Sequence, residues 1–121
     1  MNFKEYEKIA AQIRADVINE IHSAGSGHPG GSLSAADIVT ALYFKEMNVD
    51  PKNPKMQGRD KFILSKGHAA PVQYAALAEK GYITIVSDCM FFGESEGMPR
   101  QQDIPYYRIE DIRGMIDVIF S

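Results

Sequence analysis

At 121 residues the chain holds one domain or part of one, and 45% hydrophobic with 24% charged residues is ordinary globular material, not a disordered tail. A net charge of −3 gives no global basic field, so neither nucleic acid nor an anionic membrane surface is an expected partner; a phosphorylated metabolite needs only a local cluster of donors. The single cysteine, Cys89, excludes an intramolecular disulfide and a multi-cysteine zinc site, and is expected as a small core residue.

The charged first eight residues lack the apolar block of a signal peptide, and no apolar run approaches the roughly 20 residues that span a bilayer. A soluble cytoplasmic protein is the expectation. Phe3, Tyr6, Ile9, Ala10, Ile13, Val17 and Ile21 recur at steps of three and four, which predicts an amphipathic helix over residues 3–23. Gly25 and Gly27 stop it, and His22 falls in its last turn as a structural end residue.

A glycine-rich bend, Ser23 to Ser34, follows, with the imidazole of His28 in its middle. Ser34 to Asp37 resembles a capping box opening a second helix, with Ile38, Leu42, Tyr43 and Met47 as its apolar face. The helix ends before a loop over 48–54, where Asp50-Pro51 and Asn53-Pro54 oppose helix. Lys61 to Ser65 is a short strand candidate flanked by Arg59-Asp60 and Gly67. Pro71 suits the first turn of a third helix carrying Val72, Ala75, Ala76 and Leu77, closed by Lys80-Gly81. A strand, a Gly-His turn and a helix in succession place His68 near a helix N-terminus. Unpaired N–H groups and the helix dipole favour anions there, so a phosphate near His68 is expected.

Ile83 to Ser87 alternates like a strand, while Ser87-Asp88 equally suits the cap of a short helix; residues 93–105 are loop-like. Ile109, Ile112, Met115, Ile116, Ile119 and Phe120 predict a final amphipathic helix, weakened at Gly114. About four helices and one or two weak strands suggest the opening, mostly helical segment of an α/β domain whose sheet is incomplete.

Each histidine loop alone is compatible with an ordinary surface histidine. Their order is more specific. Ser26-Gly-His-Pro-Gly-Gly-Ser-Leu-Ser34, Leu42-Tyr-Phe44, Asp50-Pro51, Asn53-Pro54, Arg59-Asp60, Ser65-Lys-Gly-His68, Tyr74 and Gly81-Tyr82 together resemble the N-terminal cofactor domain of the transketolases. The match covers residues 8–82 and is similar to the split type, in which that portion is a separate subunit. Two segments are accordingly expected, a transketolase-like 1–82 and a divergent extension 83–121.

The resemblance implies a three-layer, thiamine-diphosphate-binding α/β domain and the transfer of a two-carbon ketol unit between sugar phosphates, in carbohydrate metabolism of the pentose phosphate type. It implies magnesium alongside thiamine diphosphate, and as partners a homo-oligomer or a complementary transketolase subunit. His28 would move a proton at the reacting carbonyl and hydroxyls. His68 would act in catalysis and lie by the cofactor diphosphate, with Gly27 and Gly67 letting the backbone close on the ligands.

Two departures qualify this. Gly97-Met98-Pro99 stands where the family has a Gly-His-Pro, and a thioether donates no hydrogen bond. The metal-binding Gly-Asp-Gly…Asn segment has no counterpart in these residues, so no metal ligand is assigned, and activity is expected to need other polypeptide. Two other readings stand beside this one: a non-catalytic dimerisation module, and a plain phosphate-binding module built on the His68 turn.

Overall fold

A computed structural model describes residues 1–84, whose regular structure is three α-helices with two shorter helical turns between them. Helix α1 (Phe3–Ala24) begins at a capping box: the Glu5 N–H donates to Asn2 Oδ1 at 3.0 Å, and the Asn2 N–H donates to Glu5 Oε2 at 2.6 Å. It ends where Gly25 turns left-handed at φ 71° and donates its N–H to the His22 carbonyl. Ala10, Ile13 and Val17 are its buried face, whereas Phe3, at the head of the expected stripe, is 84% exposed.

Helix α2 (Pro29–Ala41) starts five residues before the expected Ser34. Pro29 explains the difference: its fixed φ and missing N–H suit the first helical position, so the helix runs through Gly30 and Gly31 despite their poor propensity. The expected capping box at Ser34 is therefore not used. The Ser34 hydroxyl donates to the Gly31 carbonyl at 3.0 Å, and Asp37 accepts from Arg14 of α1 at 2.6 Å.

Helix α2 continues into a π-helical turn, Leu42–Glu46, closed by the Met47 N–H donating to the Leu42 carbonyl. The buried face consists of Ser32, Ala36, Val39, Thr40 and Tyr43. Ile38, expected inward, lies to one side of that stripe and is 64% exposed.

The proline-rich connection is pinned at its ends. The Asn48 N–H donates to Asp60 Oδ2 at 2.7 Å, and the Asp60 N–H donates back to the Asn48 carbonyl at 3.0 Å. The strand expected over Lys61 to Ser65 is not formed. Phe62 and Leu64 are half-buried while their neighbours are exposed, in strand-like alternation, but no strand occurs among the described residues. A single extended segment cannot satisfy its backbone as a ladder without a partner. Phe62 instead packs edge-on against Tyr43, ring centres 6.0 Å apart.

A 3₁₀ turn, Gly67–Ala69, leads into α3 (Ala70–Lys80), with Pro71 in the first turn as expected. Gly81 closes α3 at φ 102°, its N–H donating to the Ala78 carbonyl while the Tyr82 N–H donates to the Leu77 carbonyl, two hydrogen bonds that satisfy two carbonyls of the last turn. The three helices pack pairwise around Ile13, Val17, Ala36, Val39, Tyr43, Val72, Ala75 and Ala76. The regular structure of the described residues is thus all helical. Of the strand expected over Ile83 to Ser87 only residues 83 and 84 are described, without regular structure, and the remainder, the alternative cap at Ser87-Asp88, Cys89, the 93–105 loop and the final helix lie outside the described residues.

Candidate functional site around the first turn of α2

The two histidine motifs meet at one place, the first turn of α2. His28 is its N-cap residue rather than the middle of a loop, and its exposed side chain makes no capping hydrogen bond. No acidic residue lies in that turn. The chain reaches His28 through Gly27, whose φ of +135° is one that side-chain-bearing residues rarely adopt; a Cβ there would also lie 3.4 Å from Ile21.

The second motif arrives from the other side. The ring of His68, in the 3₁₀ turn before α3, lies against Gly31. A Cβ on Gly31 would sit 3.1 Å from His68 Nε2 and Cδ2 and 3.3 Å from Lys66 Cε. His68, Lys66 and Gly67 are all exposed, and a Cβ on Gly67 would meet nothing within 4 Å, so the space above that turn is open. Next to Gly31, Ser32 is fully buried and its hydroxyl has no hydrogen-bond partner among the described residues. The sequence motifs single out His28, His68, Gly27 and Gly67 as site residues, but not Gly31, Ser32 or Lys66. Lys66 lies two residues before His68 within the same motif, and only the packing on Gly31 singles it out.

Away from this turn, α1 and α3 bring three carboxylates together. Burial pushes the Glu20 carboxyl above the usual range, with the charge of Asp16 adding to it. Glu79 is raised as well, first by burial and then by hydrogen bonding to Asp16. Near the surface, the hydrogen bond from Arg14 holds Asp37 below the usual range. Among the described residues no group of His, Cys, Asp and Glu could hold a metal ion, and no helix is long and apolar enough to cross a membrane. A hollow of about 510 Å³ between the start of α1 and the end of α2, lined by residues including Phe3, Tyr6, Thr40 and Lys45, includes neither histidine.

Two histidine motifs and a lysine brought to one uncapped, glycine-floored helix start define the class of helical unit this is. Family comparison gives that class its name: residues 5–98 match the family described as "Transketolase, thiamine diphosphate binding domain", and the chain belongs to it. It is 52% identical over 73 residues to the 6-deoxy-6-sulfo-D-fructose transketolase subunit SqwG of Clostridium sp. (strain MSTE9), covering 60% of this chain and 26% of that protein. It is 44% identical over 84 residues to an apulose-4-phosphate transketolase subunit of Actinobacillus succinogenes, covering 69% of this chain and 30% of the relative. Against the transketolase of Homo sapiens the identity is 43% over 74 residues, 61% of this chain and 12% of the other. The matched region thus spans under a third of the length of these relatives.

The residues at the α2 turn fit the anionic end of thiamine diphosphate. Gly31 leaves a floor that a Cβ would fill, and the His68 and Lys66 side chains above it have no hydrogen-bond or ion-pair partner among the described residues. The described residues do not supply a magnesium site.

Proposed function

We propose that this chain is the opening segment of the cofactor-binding domain of a transketolase, acting in the transfer of a two-carbon ketol unit between sugar phosphates. The observation that carries this reading is the convergence of His28 and His68, from motifs forty residues apart, on the first turn of α2. In this reading His68 and its turn hold the diphosphate end of thiamine diphosphate. His28, at the exposed N-cap, moves a proton to or from the substrate hydroxyl or carbonyl. Gly27 and Gly67 keep the backbone on either side low enough for a ligand to approach. The bound cofactor would supply the electron sink that makes carbon–carbon cleavage feasible.

Magnesium and the remainder of the site come from polypeptide beyond the described residues, and a three-layer α/β domain is the fold that the described helices would help to cover. Residues 1–82 act as the transketolase-like part and 83–121 as a divergent extension, in a cytoplasmic protein. The names of two relatives, each a transketolase subunit, support a site assembled with a complementary chain or a second copy. A ketol-transfer assay with a ketose phosphate donor, an aldose phosphate acceptor, thiamine diphosphate and magnesium tests the reading. Turnover by the chain together with its completing polypeptide, lost in His28→Ala and His68→Ala, is expected; turnover indifferent to both substitutions would contradict it.

A second reading is favoured by the exposed apolar side chains Met1, Phe3 and Ile38, which suit a non-catalytic interaction module. Light scattering with size exclusion separates the two: a monodisperse monomer counts against the interaction module.

A further inference from the structure

A hollow of about 450 Å³ opens between α3, the π-helical turn and the loop after it, and none of the residues around His28 and His68 lines it. That volume is within the range of small-molecule sites. Tyr43 is its most buried lining residue, only 5% exposed, with Phe62 edge-on against its ring. The residue belongs to the π-helical turn Leu42–Glu46, a distortion of the helix that recurs at functional sites. Burial raises the Tyr43 phenol, and a hydrogen bond with Gln73 of α3 works against that rise. Tyr82 and Arg59 lie close enough for their charges to act on the same oxygen. Gln73, Tyr82 and Arg59 also line the hollow, so an amide, a second phenol and a guanidinium gather about one buried hydroxyl.

The charge on the lining is one-sided. Arg59 and Lys61 have no ion-pair or hydrogen-bond partner for their side chains among the described residues. Asp60, the carboxylate beside them, is already engaged, accepting from the Asn48 N–H at 2.7 Å. An unpaired guanidinium suits a carboxylate, which it can hold through two parallel N–H bonds. Met47 and Leu77 make the lining apolar elsewhere, and the rings of Tyr43, Phe62 and Tyr82 suit a flat aromatic body.

We propose that this hollow binds a small aromatic carboxylate, with Arg59 holding the carboxylate, Lys61 adding charge at the rim, and the hydroxyls of Tyr43 and Tyr82 fixing its orientation. Neither the cofactor nor a sugar phosphate takes part, so the site is independent of the transketolase reading.

The test titrates the full chain with benzoate and, separately, with neutral benzamide, followed by NMR at the Met47 methyl and the rings of Tyr43 and Phe62. Benzoate is expected to shift all three signals and benzamide to bind more weakly. Arg59→Gln, at an exposed position, should weaken benzoate roughly fivefold, the upper range for one exposed charge pair, and leave benzamide unchanged. Arg59→Lys should recover only part of the loss, since it keeps the charge without the planar fork. Tyr43→Phe keeps the ring, removes the hydroxyl and should weaken both ligands. Far-UV circular dichroism checks each fold, and if Tyr43→Phe does not fold, Tyr82→Phe at a half-buried position carries the same expectation. Millimolar benzoate that moves none of these signals would overturn the site. So would equal binding of benzoate and benzamide, benzoate binding indifferent to Arg59→Gln, or shifts as large at His68 as in the hollow.

Discussion

Ile13 and Ile18 offer a controlled comparison, because the same substitution on the same helix should differ in effect by severalfold. Ile13 is fully buried in the cluster with Val17, Val39 and Val72, whereas Ile18, further along α1, is 46% exposed. Truncation of Ile13 to Ala removes three carbons from a dry contact. At about 0.8 kcal/mol per buried methylene, transfer alone contributes about 2.4 kcal/mol. The cavity left between three packed helices adds to this, which places Ile13→Ala within the range of about 2–5 kcal/mol. Ile18→Ala loses area that is half in water already and should cost under about 1 kcal/mol.

A unit of this size has a total stability of about 4–12 kcal/mol, so Ile13→Ala removes a large part of it. Its Tm should fall by about 10 °C or more, at roughly 4–8 °C per kcal/mol. Urea unfolding of the full chain, followed by circular dichroism at 222 nm, measures both variants. Equal losses, or an Ile13→Ala cost under about 1 kcal/mol, would refute the assignment of Ile13 to the core.

Three further outcomes follow from the same geometry. Gly27→Ala should destabilise by about 1–3 kcal/mol because of its φ of +135°, while Gly67→Ala, which faces open space, should leave the urea midpoint nearly unchanged. For Glu20 the folded carboxyl is raised by burial, so the folded state holds the proton more tightly than the unfolded chain. Its contribution to stability is therefore full below the unfolded carboxylate range and is lost as pH rises through the folded value. Glu20→Gln should unfold at higher urea than wild type at pH 7 and show a flatter dependence on pH. Asp37→Asn breaks an exposed pair with Arg14, so its effect should stay under about 1 kcal/mol at neutral pH. Because the Asp37 carboxyl is lowered, that contribution is present above the unfolded carboxylate range and should vanish as pH falls through the folded value.

Helix existence was legible because periodicity and capping agree: α1 and α3 end at Gly25 and Gly81 as those glycines require. The start of α2 was misplaced because two signals competed. Pro29 permits a first turn at His28, while Ser34 and Asp37 mimic a cap, and sequence alone does not rank a permitted proline above a capping pattern. Ile38 was misassigned with it, since the inward face of α2 follows Ser32, Ala36, Val39 and Tyr43. The strand at Lys61 to Ser65 shows the same limit from another side: its local alternation survives, but a strand is a pair, and pairing is not a local property. At the candidate site, the histidines stood out by chemistry. Gly31 did not, because a missing Cβ becomes a signal only when His68 and Lys66 are seen to rest on it.

Whether the turn at His68 receives thiamine diphosphate is the central claim. Titrating the cofactor with magnesium into the full chain, with NMR detection at the three imidazoles, addresses this directly. His68 is expected to shift first and most, His22 at the end of α1 to stay unmoved, and His68→Ala to weaken binding. Millimolar cofactor that leaves His68 unmoved, or that binds equally well to His68→Ala, would contradict the claim.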